Sequence, residues 1–315
     1  MNSAMPVDST PHLIVPFAQS SDEGWLQVMA ALALKNLGQL LCGMKLIATD
    51  KGQVDSLSPP HERVLATALG LAGSADGLIP WAAHEAKAAP GQGWAIITPC
   101  HWAMGREHAT LTDPATLDVT EAESRTLLTA MQPYFATEGI TLHYAQPTRW
   151  LAEGGVFCGL PTASIDRVLG RNVDRWLPHS KAIKLQQNEM QMLLYTHPIN
   201  DERAAKGQRP VNSFWVSGSG GLRNSEGNNP QVKAATNLMQ AAVANDWAAY
   251  SAAWTQLDAT DIAQLVTQQK SGETVRLSLC GDSHAMTFES AQHGFLTRIR
   301  NTLSPQNPVD WLKQL

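Results

Sequence analysis

The apolar positions of this chain follow two rhythms. His12–Phe17 (HLIVPF) is a short, nearly continuous apolar run closed by a polar loop, the pattern of a parallel strand buried on both faces. From Leu26 to Leu41 apolar residues recur at helical spacing, so the chain opens as strand, loop, helix. A second helix is predicted from Ser58: the serine caps it, Pro59 suits its first position, and Val64, Leu65, Ala68, Leu69 and Leu71 form its apolar face. Trp94–Thr98 (WAIIT) reads as a strand. In Thr120–Phe135, Thr120 and Glu123 have capping-box spacing, and Leu127, Leu128, Met131 and Phe135 line one side. Ile140–Tyr144 reads as a strand, Ala182–Thr196 as a helix stopping before Pro198, and Asn212–Val216 as a strand ending in the glycine-rich turn SGSGG. Val232–Trp247 is predicted helical and Thr274–Cys280 (TVRLSLC) is the last strong strand.

Strands alternating with helices predict an α/β fold. The polar, glycine-rich stretch Ser217–Pro230 is the expected crossing between two domains, for which 315 residues suffice. Hydrophobic residues make up 43%, an ordinary globular share. A formal charge of -5 with no basic cluster argues against a nucleic-acid partner, and interspersed charges argue against a membrane patch. Cys42, Cys100, Cys158 and Cys280 form no C-x-x-C pair and read as free thiols. The first residues lack the basic start and apolar run of a signal peptide, and no run nears the ~20 apolar residues of a membrane span, so the expected location is the cytoplasm.

Several segments, in order, resemble the archaeal-type cofactor-independent phosphoglycerate mutases of the alkaline phosphatase superfamily. HPINDERAAKGQRPVNSFWVSGSG, from His197 to Gly220, is similar to that family's stretch beginning His-Pro-x-Asn-x-x-Arg and continuing to Pro-x-Asn before a strand and glycines. LTDPATLDVTEAESRTLL resembles the family's Asp-Arg-Arg-Ala-Gly-Arg segment and the helix after it. HLIVPF and LKNLGQL resemble the opening strand and the Pro-Asn-Leu-Asp-x-Leu helix, and LSLCGDSHAMTF the strand leading into a Gly-Asp-His-Ser-Thr metal motif. The chain is also similar to bacterial RpfE-type regulatory proteins. The resemblance implies an alkaline-phosphatase-like three-layer core from residues 1–92 and 223–315, with a smaller α/β domain of residues 93–222 inserted to hold substrate or ligand.

Mutases of this class need two divalent cations, a serine nucleophile, and cationic groups for phosphate and carboxylate. Where the resemblance places the first metal aspartate, this chain reads Pro16-Phe17-Ala18, and the nearest acids are Asp22 and Glu23. Ser58 occupies the nucleophile's place, with Ser56 as an alternative and a plain capping serine as the competing reading. Near the middle metal motif stand Asp246 and Asp258 but no histidine. Asp282, His284 and His293 fall close to the last motif and could hold one ion, manganese or zinc; a loop hydrogen-bond pair is the structural alternative. The arginine cluster has become Asp113-Pro114-Ala115-Thr116-Leu117-Asp118. Arg167, Arg171 and Arg203 remain as anion-binding candidates, and Asn212 lies beside them in the retained segment. Asn224-Ser225-Glu226-Gly227 imitates a nucleophile motif but follows the inserted domain instead of preceding it.

The gaps at the aspartate, the histidine and the arginines lead to a catalytically degenerate, mutase-like protein. Its expected role is regulatory, with a small phosphorylated or carboxylate metabolite or a protein as partner. The alternative is an active metal-dependent mutase or phosphatase with relocated ligands.

Overall fold

A computed structural model describes residues 9–71, 75–223, 231–291 and 308–315. The chain divides into two compact units, Met1–Asp55 with Pro59–Ala72 and Gly227–Leu315, and Ser56–Ser58 with Gly73–Glu226.

In chain order, the first unit opens with β1 (His12–Val15), α1 (Glu23–Ala31), α2 (Lys35–Cys42), β2 (Met44–Lys51) and α3 (Pro60–Ala68). The second contains α4 (Trp81–Glu85), β3 (Trp94–Cys100), β4 (Trp102–Met104), β5 (Ala109–Leu111), α5 (Glu121–Thr137), β6 (Thr141–Gln146) and β7 (Arg149–Glu153). It ends with α6 (Lys181–Tyr195), α7 (Pro198–Ala205) and β8 (Ser213–Gly220). The chain then returns to the first unit with β9 (Val232–Ala234), α8 (Met239–Val243), α9 (Trp247–Leu257), α10 (Ala263–Lys270), β10 (Arg276–Cys280) and β11 (His284–Ser290). Its final helix is Pro308–Leu312.

The first unit is a five-stranded sheet in the order β2-β11-β10-β1-β9. β10, β1 and β9 run parallel, and β11 is antiparallel to both of its neighbours, β10 and the edge strand β2. Leu13 and Val15 of β1 point to one face, where they join Trp25, Met29, Leu37, Trp254 and Leu265 in the main core. Ile14 points to the other and packs with Val64 of α3, Cys280 and Ala285. Helices therefore cover both faces, giving a three-layer core in keeping with the α/β fold that the alternating pattern predicts. The second unit is an antiparallel sheet, β6-β7-β3-β8, whose core joins Phe135 of α5 and Met190 of α6 to Ile97, Trp150 and Phe214. Among the described residues no helix is long and apolar enough to cross a membrane.

Four local expectations need correction. The single helix Leu26–Leu41 is two, because Asp258 intervenes: its carboxylate accepts from the backbone N–H of Leu37 at 2.8 Å and of Asn36 at 3.2 Å. A distant side chain thus caps α2 and starts a new helix inside a continuous apolar repeat. Val232–Trp247 is not one helix either. Val232–Ala234 pairs with His12–Ile14, and Asn245, at φ 52°, breaks the chain before α9. Strand pairing outweighs helical propensity there, and asparagine tolerates the left-handed turn.

Ser58 does not cap α3. Pro59 is the N-cap with no side-chain bond, and two consecutive prolines leave fewer orphan N–H groups to satisfy. The SGSGG glycines are not a turn but lie largely within β8. Gly218 (φ 57°) is obligatory there, since a Cβ would sit 2.9 Å from Ile96 Cδ1 and 3.0 Å from Trp81 Cβ. The glycine lets α4 close onto the sheet.

Candidate functional site

In open α/β sheets, ligands bind beyond the carboxyl ends of parallel strands. Here β1 and β10 end side by side, with Val15 opposite Leu279, and Ala18 N–H donates to the Cys280 carbonyl at 2.8 Å. The loops leaving them carry Phe17, Ser21, Asp282 and Ser283.

Phe17 adopts a left-handed conformation, φ 55°, which costs a non-glycine residue roughly 1 kcal/mol. Its ring lies 5.6 Å from that of His61. Its carbonyl accepts the Tyr250 hydroxyl at 2.7 Å, and that phenol oxygen accepts the Trp25 indole N–H at 3.1 Å. Burial pushes the Tyr250 phenol up to about 12; the indoles of Trp254 and Trp25 pull the other way, and the charge of Asp282 adds to the rise. Trp25 and Tyr250 thus hold Phe17 in its strained conformation.

The Asp282 carboxylate accepts both the backbone N–H and the hydroxyl of Ser21, at 3.2 and 3.0 Å. His284 begins β11, and its Nδ1 lies 2.6 Å from Ser283 Oγ. Arg63 of α3 donates through Nε to Asp50 at 2.8 Å and through Nη2 to the Ser283 carbonyl at 3.1 Å. Gly52 makes room for this, because a Cβ there would lie 2.2 Å from the guanidinium.

The other predicted acids hold helix ends. Asp246 caps α9, its carboxylate accepting from Ala249 N–H at 2.9 Å, and Asp22 caps α1, accepting from Gly24 N–H at 2.8 Å. Among the described residues, Asp246, Asp282 and His284 do not form a group able to share one ion. His293 and the Asn224–Gly227 motif lie outside the described residues.

In the second unit, Ser58 is only 3% exposed. Its hydroxyl accepts Gly77 N–H at 3.0 Å, while its own N–H donates to Asp76 at 2.8 Å. Arg167 is buried and donates to Ser56 Oγ at 2.9 Å, so the alternative serine and this arginine do come together. Arg171 is exposed on the loop that follows.

Asn212, just before β8, ties the start of that strand to β4 with its side-chain amide, accepting from Trp102 N–H at 2.7 Å and donating to the Trp102 carbonyl at 3.0 Å. Arg203 is fully buried. Its guanidinium meets Glu123 at 3.1 Å through Nη1, the Arg209 carbonyl at 2.8 Å through Nε, and the Leu117 carbonyl through Nη2. Burial alone would raise the Glu123 carboxyl, but hydrogen bonds from Thr120 and the Arg203 guanidinium outweigh it and hold the group below its ordinary range. Arg203 thus fastens α7 to the capping box of α5, which is present as predicted.

The residues that organise the strand ends include several that spacing did not single out: Ser21, Arg63 and Tyr250. Tyr250 had a legible signal, since Trp247, Tyr250 and Trp254 recur at i, i+3 and i+7 on one helix face. Arg63 and Ser21 had none, because their partners are more than ten residues away in sequence.

No family model matches the chain. A stretch of 119 residues, 36% of this chain, is 26% identical to the 2,3-bisphosphoglycerate-independent phosphoglycerate mutase of Methanosarcina mazei and spans only 30% of that protein. Among solved structures, the cofactor-independent phosphoglycerate mutase from Thermoplasma acidophilum is similar at 13% identity and a TM-score of 0.36, over 97% of this chain and 99% of that one. The PH0037 protein from Pyrococcus horikoshii is similar at 9% identity and a TM-score of 0.44, over 90% and 88% of the two chains.

Proposed function

We propose that this is a phosphoglycerate mutase-like protein that has lost two-metal phosphoryl transfer and works as a regulatory, small-anion-binding protein. The sequence similarity to the Methanosarcina mazei enzyme supports the first part. The observation that carries the second is the end of β1. Phe17 stands where the resemblance calls for a metal aspartate, and its backbone is held there by Tyr250. A phenyl ring offers no lone pair to a cation.

The remaining candidates do not fit a two-cation centre, which needs roughly six or seven oxygen or imidazole ligands. Asp246 and Asp22 cap helices, and Asp282 accepts two bonds from Ser21. The same placements weigh against an active enzyme with relocated ligands, since that reading draws on these aspartates and on the deeply buried Ser58. Of the three candidate arginines, Arg167 and Arg203 are buried and Arg171 is exposed, which makes it the candidate to meet an anion, and a small phosphorylated or carboxylate metabolite is the ligand class. The cytoplasm is the proposed location.

A thermal-shift screen with 3-phosphoglycerate, phosphoenolpyruvate and citrate tests this. A ligand at a hundred times its Kd adds about 2.7 kcal/mol to stability, which a melting curve resolves. The expected result is saturable stabilisation by at least one of them without mutase turnover. Turnover abolished by Ser58→Ala overturns the proposal.

A further inference from the structure

At the amino-terminal end of β1, the first unit has a cleft between its edge strand β9 and α10, with a volume of about 290 Å³. That is at the low end of ligand pockets, which start at roughly 300 Å³, so it suits one small metabolite and not a nucleotide. We propose that it binds a small zwitterion, a free α-amino acid.

The chemistry of the two walls carries this. β9 contributes Lys233, and the other wall contributes Asp261; their ammonium and carboxylate meet at 2.5 Å. Lys233 is 64% exposed and Asp261 21%, so the pair is solvent-facing, and such pairs contribute little to stability. Opening it therefore costs little. A zwitterion inserted between the two groups replaces one ion pair with two, its carboxylate on Lys233 and its ammonium on Asp261.

Three further features fit the same ligand. Asp261, Gln264 and Gln268 are spaced i, i+3 and i+7, so one helical face presents a carboxylate and then two amides along the cleft. Gln264 is exposed and Gln268 half-buried, and amides can donate to or accept from a polar side chain. Leu13 and Leu265 supply an apolar floor for the ligand's methylenes. Asp261 also lies within a π-helical turn, Asp258–Ile262, an irregularity frequent at functional sites. Here the turn joins α9 to α10 while Asp258 remains the cap of α2, so it sets the position of Asp261 relative to a fixed point.

The proposal does not depend on the anion-binding reading above. Its test is titration calorimetry of the full chain with each proteinogenic amino acid at millimolar concentration, then with L-glutamine, N-acetyl-L-glutamine and L-glutaminol. The expected result is saturable binding of at least one free amino acid. Loss of either charge, in the acetylated or the alcohol analogue, is expected to weaken binding about tenfold or more. Asp261→Asn and Lys233→Gln are expected to do the same with the circular dichroism spectrum unchanged; Lys233→Gln, at a more exposed position, serves if the first variant does not fold. No saturable binding by any amino acid, equal binding of the blocked analogues, or full affinity in folded Lys233→Gln overturns the proposal.

Discussion

Replacing Arg203 with methionine separates a structural arginine from a ligand-binding one. The wild-type guanidinium is fully buried and serves Glu123, the Arg209 carbonyl and the Leu117 carbonyl together. Methionine keeps much of the volume but removes the charge and every donor. Removing one partner of a fully buried ion pair typically costs about 3–5 kcal/mol; Glu123 is only partly buried and keeps its bonds from Thr120, so a loss at or below the low end of that range is expected. The carbonyls left behind add a desolvation penalty of roughly 1 kcal/mol or more. Against a total stability of roughly 5–15 kcal/mol, this leaves a marginal protein.

Urea unfolding followed by circular dichroism measures the loss. A double-mutant cycle with Glu123→Gln isolates the pair, and a coupling of about 1 kcal/mol or more is expected for groups in direct contact. The refuting result is an Arg203→Met protein with an unchanged midpoint that has lost an anion ligand. Arg203 would then belong to a binding site and the strut assignment would be wrong. The pair also has a pH signature. The Glu123 carboxyl lies lower in the folded state than in the unfolded one, so its stabilisation is present above the unfolded value, near 4.3, and is lost as pH falls through the folded value.

Three other outcomes follow from the geometry. Gly218→Ala forces a Cβ against Ile96 and Trp81 at a left-handed position and should destabilise by about 2 kcal/mol, read as a lower melting temperature. Tyr250, with a folded-state value of about 12 against about 10 unfolded, contributes stability that is complete below pH 10 and is lost as pH rises towards 12. An ultraviolet titration should therefore show a late-ionising tyrosine that Tyr250→Phe removes. Burial raises the thiols of Cys100 and Cys280 while Cys158 is exposed, so iodoacetamide should label Cys158 in the native protein and reach the other two only on unfolding.

The layered α/β architecture was legible because β1, α5, α6 and β10 each carry a clean local pattern. The capping box of Thr120 and Glu123 was read correctly because all of its chemistry lies within four residues. What local pattern could not show was action at a distance. Asp258 splits an apparently continuous helix 221 positions away in sequence, and Ser278 accepts or donates to His12 across 266. β11 was missed because its alternation follows a loop that reads as a metal motif, and β2 because, as an edge strand, it is largely exposed. At the site, the residue types were legible but their engagements were not. Arg203 reads like a ligand arginine in sequence and is a buried strut in the fold. Asp246 reads like a metal ligand and is placed as a helix cap.

The proposed loss of two-metal phosphoryl transfer is tested most directly by metal stoichiometry. The purified chain is dialysed against Mn²⁺ or Zn²⁺ and then against buffer, and its metal content is measured by elemental analysis. The account predicts no tightly held pair: either no bound metal, or one ion lost on brief chelation. Two ions per chain that survive chelation, accompanied by phosphoglycerate turnover, would contradict it.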